Sequence, residues 1–286
     1  MKMSSSLRAL RGFTLVELMV AMAIGLVVLA AMYSGYLGSS RTTGVGRALS
    51  QITEDASAAM GVLRSQVNAA AYSAPTGGAA GTGTGFTYNA STSDWVRGCD
   101  TDFTDMTQPI GSLACSGSGK NALAVAYEAN EFNSITKLVA GVKTPMDCLG
   151  NTLTLTSGYY LSYSRFYIND NALYCLGPGN ANGQALVENV SDMQITYGVV
   201  KDMAPNQPHV AASYKTATEV EAAGAWPRVV SVRVCLVVRS ADEVLDAPAP
   251  YQGCDPFADP TTPDDRRMYR SFTSTFVIQN RRGTAL

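Results

Sequence analysis

Residues 11–37 read RGFTLVELMVAMAIGLVVLAAMYSGYL, and this stretch decides the fold of the first part of the chain. No charged residue lies between Leu18 and Ser40, and a helix that crosses a bilayer needs about 20 mainly apolar residues. Three cations and no acid precede the stretch, at Lys2, Arg8 and Arg11. Cations on this side favour a cytoplasmic N-terminus and export of the following chain.

Glu17 is the unusual residue of the apolar stretch. A carboxylate at the middle of a bilayer costs about 2.5–3.5 kcal/mol, so an acid inside a membrane segment is a functional candidate. The alternative is that Glu17 lies at the membrane interface, among headgroups and water. A cleaved secretory signal shares the basic start, but its apolar region is shorter and does not begin with an acid.

The string RGFTLVEL, residues 11–18, closely resembles the type III signal of type IV pilins and pseudopilins. The resemblance implies that a prepilin peptidase cleaves the leader after Gly12 and methylates the new N-terminus at Phe13. It also implies that Glu17 acts in assembly, by pairing with the N-terminal ammonium of a neighbouring subunit. A cationic partner is the condition under which a buried carboxylate is tolerated.

Helical periodicity continues beyond the apolar stretch. Apolar residues recur at steps of three and four, as Leu49, Ile52, Ala56, Ala59, Leu63, Val67 and Ala70. This spacing predicts an amphipathic helix that packs on a sheet. Four glycines lie between the two parts, at Gly35, Gly38, Gly44 and Gly46. We expect the helix to bend or loosen there, because each glycine costs up to about 1 kcal/mol of helix stability.

From Asn121 onward the pattern favours strands. We predict them at residues 122–127, 135–142, 152–156, 159–168, 172–176, 185–190, 193–200, 228–239 and 269–279. A long helix followed by strands predicts an α+β fold, in which a transmembrane and then amphipathic helix packs on an antiparallel sheet. The expected organisation is a leader, a transmembrane half, an amphipathic half and a periplasmic β-rich head, at residues 1–12, 13–37, 38–72 and 73–286. Residues 85–119 match no secondary-structure or family pattern.

Several strand patterns of the head resemble the PilW family of minor pilins. They are residues 159–173, 185–190, 193–198, 232–240 and 266–276. The resemblance implies a pilin-like fold and a role in initiation of type IV pilus assembly, within a priming or tip complex. The partners it implies are other minor pilins, the major pilin, prepilin peptidase and the inner-membrane assembly machinery. It places the chain in the inner membrane as a single-pass protein, and then in the pilus.

The six cysteines predict disulfides, because an exported head folds in an oxidising compartment. They are Cys99, Cys115, Cys148, Cys175, Cys235 and Cys254. Pairing of sequential neighbours would close three short loops, but six cysteines allow fifteen pairings, and these stay open. A single histidine and the absence of a C-x-x-C pair argue against zinc, and we expect no metal and no cofactor.

Other polar and charged residues have ordinary explanations, and we expect Glu128 at the surface and His209 in an exposed loop. Asp100, Asp102 and Asp105 alternate like calcium ligands, but the late bidentate Glu is missing, so we expect a solvated acidic loop. Five arginines gather near the C-terminus, as Arg266, Arg267, Arg270, Arg281 and Arg282. A phosphate or DNA contact is conceivable there, but the net charge of −2 and the wider context favour a charged strand edge without a nucleic-acid partner.

Three alternatives to the pilus role stay open. A J-type minor pseudopilin of a type II secretion system would carry the same N-terminal signal. A pilus-associated adhesin or DNA-binding subunit would use the exposed loops of the head. A membrane-anchored enzyme is the third, and we expect no enzymatic activity, because no nucleophile elbow, P-loop or dinucleotide fingerprint is present.

Overall fold

The computed structural model describes residues 14–76, 85–86, 95–156, 158–180, 182–202 and 209–281. The predicted leader and Phe13 therefore lie outside the described residues. The chain forms two compact units, Met1–Arg47 and Ala48–Leu286.

Helix α1 spans Leu15–Ala69 without interruption. The four glycines that were expected to loosen it lie inside the helix, so the structure has no break at them. Outside the helix backbone itself, no atom lies within 4 Å of a Cβ placed on any of these four glycines. They are therefore not required for close packing within this chain, although each lowers the helix propensity.

The part of α1 that belongs to the second unit has one buried face. Its buried residues are Ala48, Ile52, Ala56, Ala59, Leu63 and Val67, and Ala70 follows directly. The predicted start of this stripe was wrong, since Leu49 is 37% exposed and Ala48 takes the buried position. Steps of four, four, three and four from Ala48 follow the 3.6-residue period more closely than a start at Leu49.

The end of α1 is fixed by the head. Ala71 adopts a left-handed conformation with φ of 63° and donates its N–H to the carbonyl of Ala126 at 3.0 Å. The side-chain amide of Asn280 donates to the carbonyls of Ala69 and Ala70 at 3.2 and 3.0 Å. The Asn280 amide thus gives hydrogen bonds to carbonyls at the helix end, where intrahelical partners are missing.

The head contains strands in the following order along the chain: β1 Pro75–Thr76, β2 Gly85–Phe86, β3 Val96–Cys99, β4 Ala122–Ala129, β5 Thr136–Val139, β6 Val142–Pro145, β7 Leu155–Thr156, β8 Tyr159–Asn169, β9 Ala172–Leu176, β10 Gln184–Glu188, β11 Val190–Val199, β12 Ser213–Lys215, β13 Val229–Arg239 and β14 Tyr269–Val277. A short helix, α2, spans Ala217–Ala222. Single 3₁₀ turns cover Ile110–Ser112, Trp226–Arg228 and Gln279–Arg281.

The strands form two larger antiparallel sheets. The first has the order β10-β9-β8-β4-β3, with β7 paired to β8, and the second has the order β12-β11-β13-β14. Strands β1 and β2 form one separate pair, and β5 and β6 form another. One hydrophobic core joins residues of α1, both sheets and α2, including Leu63, Leu123, Phe166, Val220 and Leu236. The predicted α+β class, with a long helix and antiparallel sheets, is confirmed.

Two strand predictions were wrong. Residues 135–142 form a hairpin rather than one strand, because Ala140 and Gly141, with φ of 48° and 83°, make a two-residue turn. Residues 152–156 contain only the short β7, and Thr152 makes an isolated bridge with Met146. The remaining predicted strands are present with shifted ends, and β9 has the predicted bounds.

Several elements have no counterpart in the sequence prediction, including the short strands β1, β2 and β12. Helix α2 begins with a capping box, in which Thr216 and Glu219 cap each other, and the signal T-x-x-E is visible in the sequence. The stretch that matched no pattern contains β3, which pairs with β4 and is largely buried. A disulfide from the end of β3 closes the loop that follows it.

Candidate functional site

The first turn of α1 holds Glu17 in a reciprocal cap with Thr14. The carboxylate Oε2 of Glu17 accepts hydrogen bonds from the N–H and the hydroxyl of Thr14, each at 2.9 Å. The N–H of Glu17 donates in turn to the hydroxyl oxygen of Thr14 at 3.2 Å. This is a capping box, and a carboxylate at this end of a helix is also favoured by the helix dipole.

Sequence reasoning missed Thr14. The spacing T-x-x-E from Thr14 to Glu17 is the signal that identifies it. The cap gives Glu17 a defined position on α1 and leaves both residues exposed. Gly12 and Phe13, the predicted cleavage and methylation residues, lie outside the described residues.

The apolar half of α1 is exposed in the isolated chain. Within the described residues, α1 is the helix with the length and apolar composition that a bilayer crossing requires. Its large exposed side chains include Leu18, Met22, Leu26, Leu29 and Met32. An apolar surface of this size on a soluble monomer marks a contact with lipid or with other protein.

Three hydroxyl groups in and just after this half bond within the helix. Ser34 donates to the carbonyl of Ala31 at 2.9 Å, and Thr42 donates to that of Gly38 at 3.0 Å. Thr43 donates to the carbonyl of Ser39 at 2.9 Å. In lipid or in a filament core, these three groups therefore need no outside partner.

All six cysteines are paired, and each is joined to its sequential neighbour. The bridges are Cys99–Cys115, Cys148–Cys175 and Cys235–Cys254. The Cα–Cα distances of 5.4, 6.5 and 5.7 Å lie in the range that a disulfide spans. Each bridge ties a loop to a sheet strand, namely β3, β9 or β13.

The acidic cluster of the sequence does not form one site. Asp100 accepts the N–H groups of Ala217 and Thr218, each at 2.9 Å, and so holds the start of α2. Burial acts to raise the pKa of Asp100, but the hydrogen bonds from Thr218 and Ala217 outweigh it and lower that pKa. Burial raises the pKa of Asp102. Within the described residues, no group of three or more His, Cys, Asp or Glu side chains is placed to hold a metal ion.

Asp105 belongs to a separate loop. It accepts hydrogen bonds from the amide of Gln108 at 2.8 Å and from the hydroxyl and N–H of Thr107 at 2.7 and 2.8 Å. These contacts lower the pKa of Asp105 to about 2. The carboxylate of Asp105 therefore stabilises the turn that contains it.

The arginines near the C-terminus are divided among local contacts. Arg266 pairs with Glu243 at 2.8 Å, and Arg267 lies 3.5 Å from Asp265. Arg281 is buried and donates to the carbonyls of Trp226 and Val229 at 2.8 and 3.0 Å. Burial lowers the pKa of Arg281 to about 10. The prediction of a charged strand edge was therefore wrong for the buried Arg281, whereas Arg270 is exposed on β14 and Arg282 lies outside the described residues.

Glu128 and His209 were placed wrongly by sequence reasoning, which put both at the surface. Glu128 is buried and accepts the N–H of Ala74 at 2.7 Å and the hydroxyl of Ser73 at 3.0 Å. His209 is half-buried, with Nδ1 2.9 Å from the carbonyl oxygen of Arg281. Both side chains therefore join segments that are more than fifty residues apart in sequence.

Comparisons with known proteins give two family matches and a similar solved structure. Residues 7–33 match the prokaryotic N-terminal methylation motif, and residues 158–280 match the family described as type IV Pilus-assembly protein W. No curated protein matches the chain significantly. A solved structure, the type IV-like pilin TTHA1219 from Thermus thermophilus, is similar over 57% of this chain and 79% of its own, at 12% identity and a TM-score of 0.30.

A prepilin methylation motif on an apolar helix, followed by a head of antiparallel sheets, makes the chain similar to type IV pilin-like proteins. More narrowly, its head carries the PilW domain, which covers strands β8 to β14. The motif implies processing by a prepilin peptidase and a membrane and pilus context.

Proposed function

We propose that this chain is a minor pilin that takes part in the initiation of type IV pili, within a priming or tip complex of other minor pilins. The observation that carries the proposal is the exposed apolar half of α1, which has no charge from Leu18 to Ser40 and carries the carboxylate of Glu17 in its first turn. The PilW domain on the same chain supports the pilus rather than another pilin-like system.

The proposed work of the chain is assembly, without catalysis. The precursor lies in the inner membrane with a cytoplasmic N-terminus and a periplasmic head. After cleavage behind Gly12, the apolar half of the helix moves from lipid into the filament core and contacts the helices of the major pilin and of other minor pilins. Glu17 exchanges Thr14 for the methylated N-terminus of a neighbour, which neutralises the carboxylate in the filament.

The test compares a deletion strain with strains that express the wild-type chain or Glu17→Leu. Deletion should abolish surface pili in electron micrographs and leave type II secretion of a marker enzyme unchanged. The Glu17→Leu chain should insert in the membrane and be cleaved, with incorporation into pili reduced roughly a hundredfold, since loss of one partner of a buried pair costs about 3–5 kcal/mol.

Thr14→Val is the matched control. It removes the hydroxyl of the cap and keeps the carboxylate, so incorporation should remain near the wild-type level. Loss of secretion with intact pili would identify the chain as a minor pseudopilin instead. Normal incorporation of Glu17→Leu would remove the assembly role of Glu17.

A further inference from the structure

Strand β14 is an exceptionally regular open edge of the head. Among the described residues, the two larger sheets have five strands that pair on one side only, and four of them are short or irregular, including β7 with two residues. Strand β3 has four residues, β12 has three, and β10 has five with a register shift between Ala185 and Val187. Strand β14 has nine residues, and its register against β13 has no shift from Tyr269 to Val277.

The hydrogen bonds that flank β14 show which backbone groups face outward. The N–H of Ile278 donates to the carbonyl of Val230 at 2.9 Å, and the N–H of Ser240 donates to the carbonyl of Met268 at 2.8 Å. Since the register is constant between these two pairs, the even-numbered residues of β14 bond to β13. The odd-numbered residues therefore direct their N–H and C=O groups away from the sheet: Tyr269, Ser271, Thr273, Thr275 and Val277.

These outward groups have no backbone partner in the part of the chain that the structure describes. The sequence YRSFTSTFV of β14 also lacks the residues that usually block an edge, since it contains no proline, no lysine and no bulge. Arg270 is its one charge, and it is exposed. A long, regular edge of this kind is a template for a further strand.

The side chains of β14 indicate which residues an added strand should contribute. Arg270 and Phe272 lie on the same face, and Phe272 is only half-buried at the margin of the core. No ion pair of Arg270 is present among the described residues, whereas Arg266 and Arg267 have theirs. An added strand would complete this face with an acidic side chain beside Arg270 and an apolar side chain beside Phe272.

We propose that β14 pairs with an extended segment of a neighbouring, different pilin-type subunit, which extends the sheet β12-β11-β13-β14 by one strand. The inference rests on the proposed function, because it places the chain in a complex of pilin-like subunits. A second copy is a poorer occupant. If β14 paired with the β14 of a second copy, antiparallel and centred on Thr273, Arg270 would lie opposite Phe276. Its guanidinium would then have no acidic partner.

Thr273→Pro tests the backbone contact directly. Proline lacks an N–H, and the N–H of Thr273 points outward, so the ladder between β13 and β14 keeps its bonds while the edge loses a donor. Thr273→Val is the matched control, since it keeps both the N–H and the branched shape. The full-length chain would carry a photocrosslinking residue at Thr275, in cells that assemble pili.

The expected product joins Thr275 to an extended segment of another pilin-type subunit, identified by mass spectrometry of the crosslinked peptide. Its yield should fall about tenfold in Thr273→Pro and stay unchanged in Thr273→Val. Arg270→Glu against Arg270→Lys gives an independent pair, with a similar fall in the first variant alone. This second pair decides the question if Thr273→Pro fails to fold.

Three results would overturn the proposal: no crosslink at Thr275, a crosslink only to a second copy of the chain, or equal yields from both members of each variant pair. Failure of the proposed function gives a different result, because deletion of the chain would then leave piliation intact. If deletion abolishes pili and the crosslink is nevertheless insensitive to the variants, only the role of β14 fails.

Discussion

Helix α1 places the same type of side chain in two opposite environments. Leu29, in the first unit, is 63% exposed, whereas Leu63, in the head, is fully buried. Burial of a leucine side chain contributes about 1.5–3 kcal/mol. The head half of the helix obtains this stabilisation inside its own chain, and the apolar half obtains it only from a membrane or from other helices.

The two halves also differ in the size of their side chains. The buried stripe of the head contains four alanines, Ala48, Ala56, Ala59 and Ala70, which allow the helix backbone to approach neighbouring elements closely. The apolar half also contains four alanines, but Leu, Val and Met together supply twelve of its residues from 15 to 37. Small residues suit a helix that packs against one fixed partner. Large flexible residues suit a helix whose partners are exchanged, such as lipid and then neighbouring helices.

The largest expected effect comes from one substitution made in both halves. Leu63→Ala should lower the free energy of unfolding of the head by about 2–5 kcal/mol, because it leaves a cavity in the core. Leu29→Ala should change it by less than about 0.5 kcal/mol. Denaturant unfolding in detergent, followed by the fluorescence of the buried Trp95 and Trp226, measures both. Similar losses from the two variants would contradict the contrast between the halves.

Removal of the bridge Cys148–Cys175 should be the next largest effect. Replacing both cysteines with alanine frees a loop of 27 residues and should lower the free energy of unfolding by about 3 kcal/mol. Membrane insertion of the apolar half should not change, as fractionation of membranes would show. Impaired insertion of the double variant would mean that the two units depend on each other.

Asn280→Ala should have a smaller effect, at the end of α1. The variant loses the amide that donates to Ala69 and Ala70, so thermal unfolding should show a loss of about 1 kcal/mol. Gln279→Ala is the control, since Gln279 is an exposed neighbour without such a bond in the described residues. Equal losses in both variants would show that the side chain of Asn280 does not cap the helix.

The smallest effect concerns pH. The pKa of Asp105 is lowered to about 2 in the folded chain, so this carboxylate contributes stability above its ordinary pKa of 3.8, and the contribution is lost as the pH falls through about 2. Asp105→Asn should therefore make the acid side of the stability curve shallower between about pH 4 and 2. Asp259→Asn, at an exposed carboxylate, should leave the curve as it is. Identical curves for wild type and Asp105→Asn would refute this role.

The sequence was informative where one physical pattern dominated. The apolar run, the buried stripe of α1 and the strand β13 were predicted because their periodicity has no competing explanation. The hairpin of β5 and β6 was missed because Ala140 adopts a left-handed conformation, which its residue type does not indicate. Glu128 was assigned to the surface because its partners, the backbone of Ala74 and the hydroxyl of Ser73, are more than fifty residues away in sequence.

The candidate site divides in the same way. Glu17 stood out by chemistry alone, as an acid in an apolar stretch, whereas Thr14 was missed although the spacing T-x-x-E identifies it. A charged strand edge was predicted from the arginines near the C-terminus, but the length and regularity of the open edge at β14 were not predictable, because the order of the strands depends on contacts across the whole head. Strand patterns alone do not distinguish an edge strand from a central one.

The order of the three disulfides has a consequence for biosynthesis. Their spans, 99–115, 148–175 and 235–254, follow one another without overlap. A chain that emerges from its N-terminal end presents each cysteine immediately before its native partner. Every bridge can therefore close with the next thiol to appear, so that none has to wait for a distant sequence or be reshuffled after a premature match.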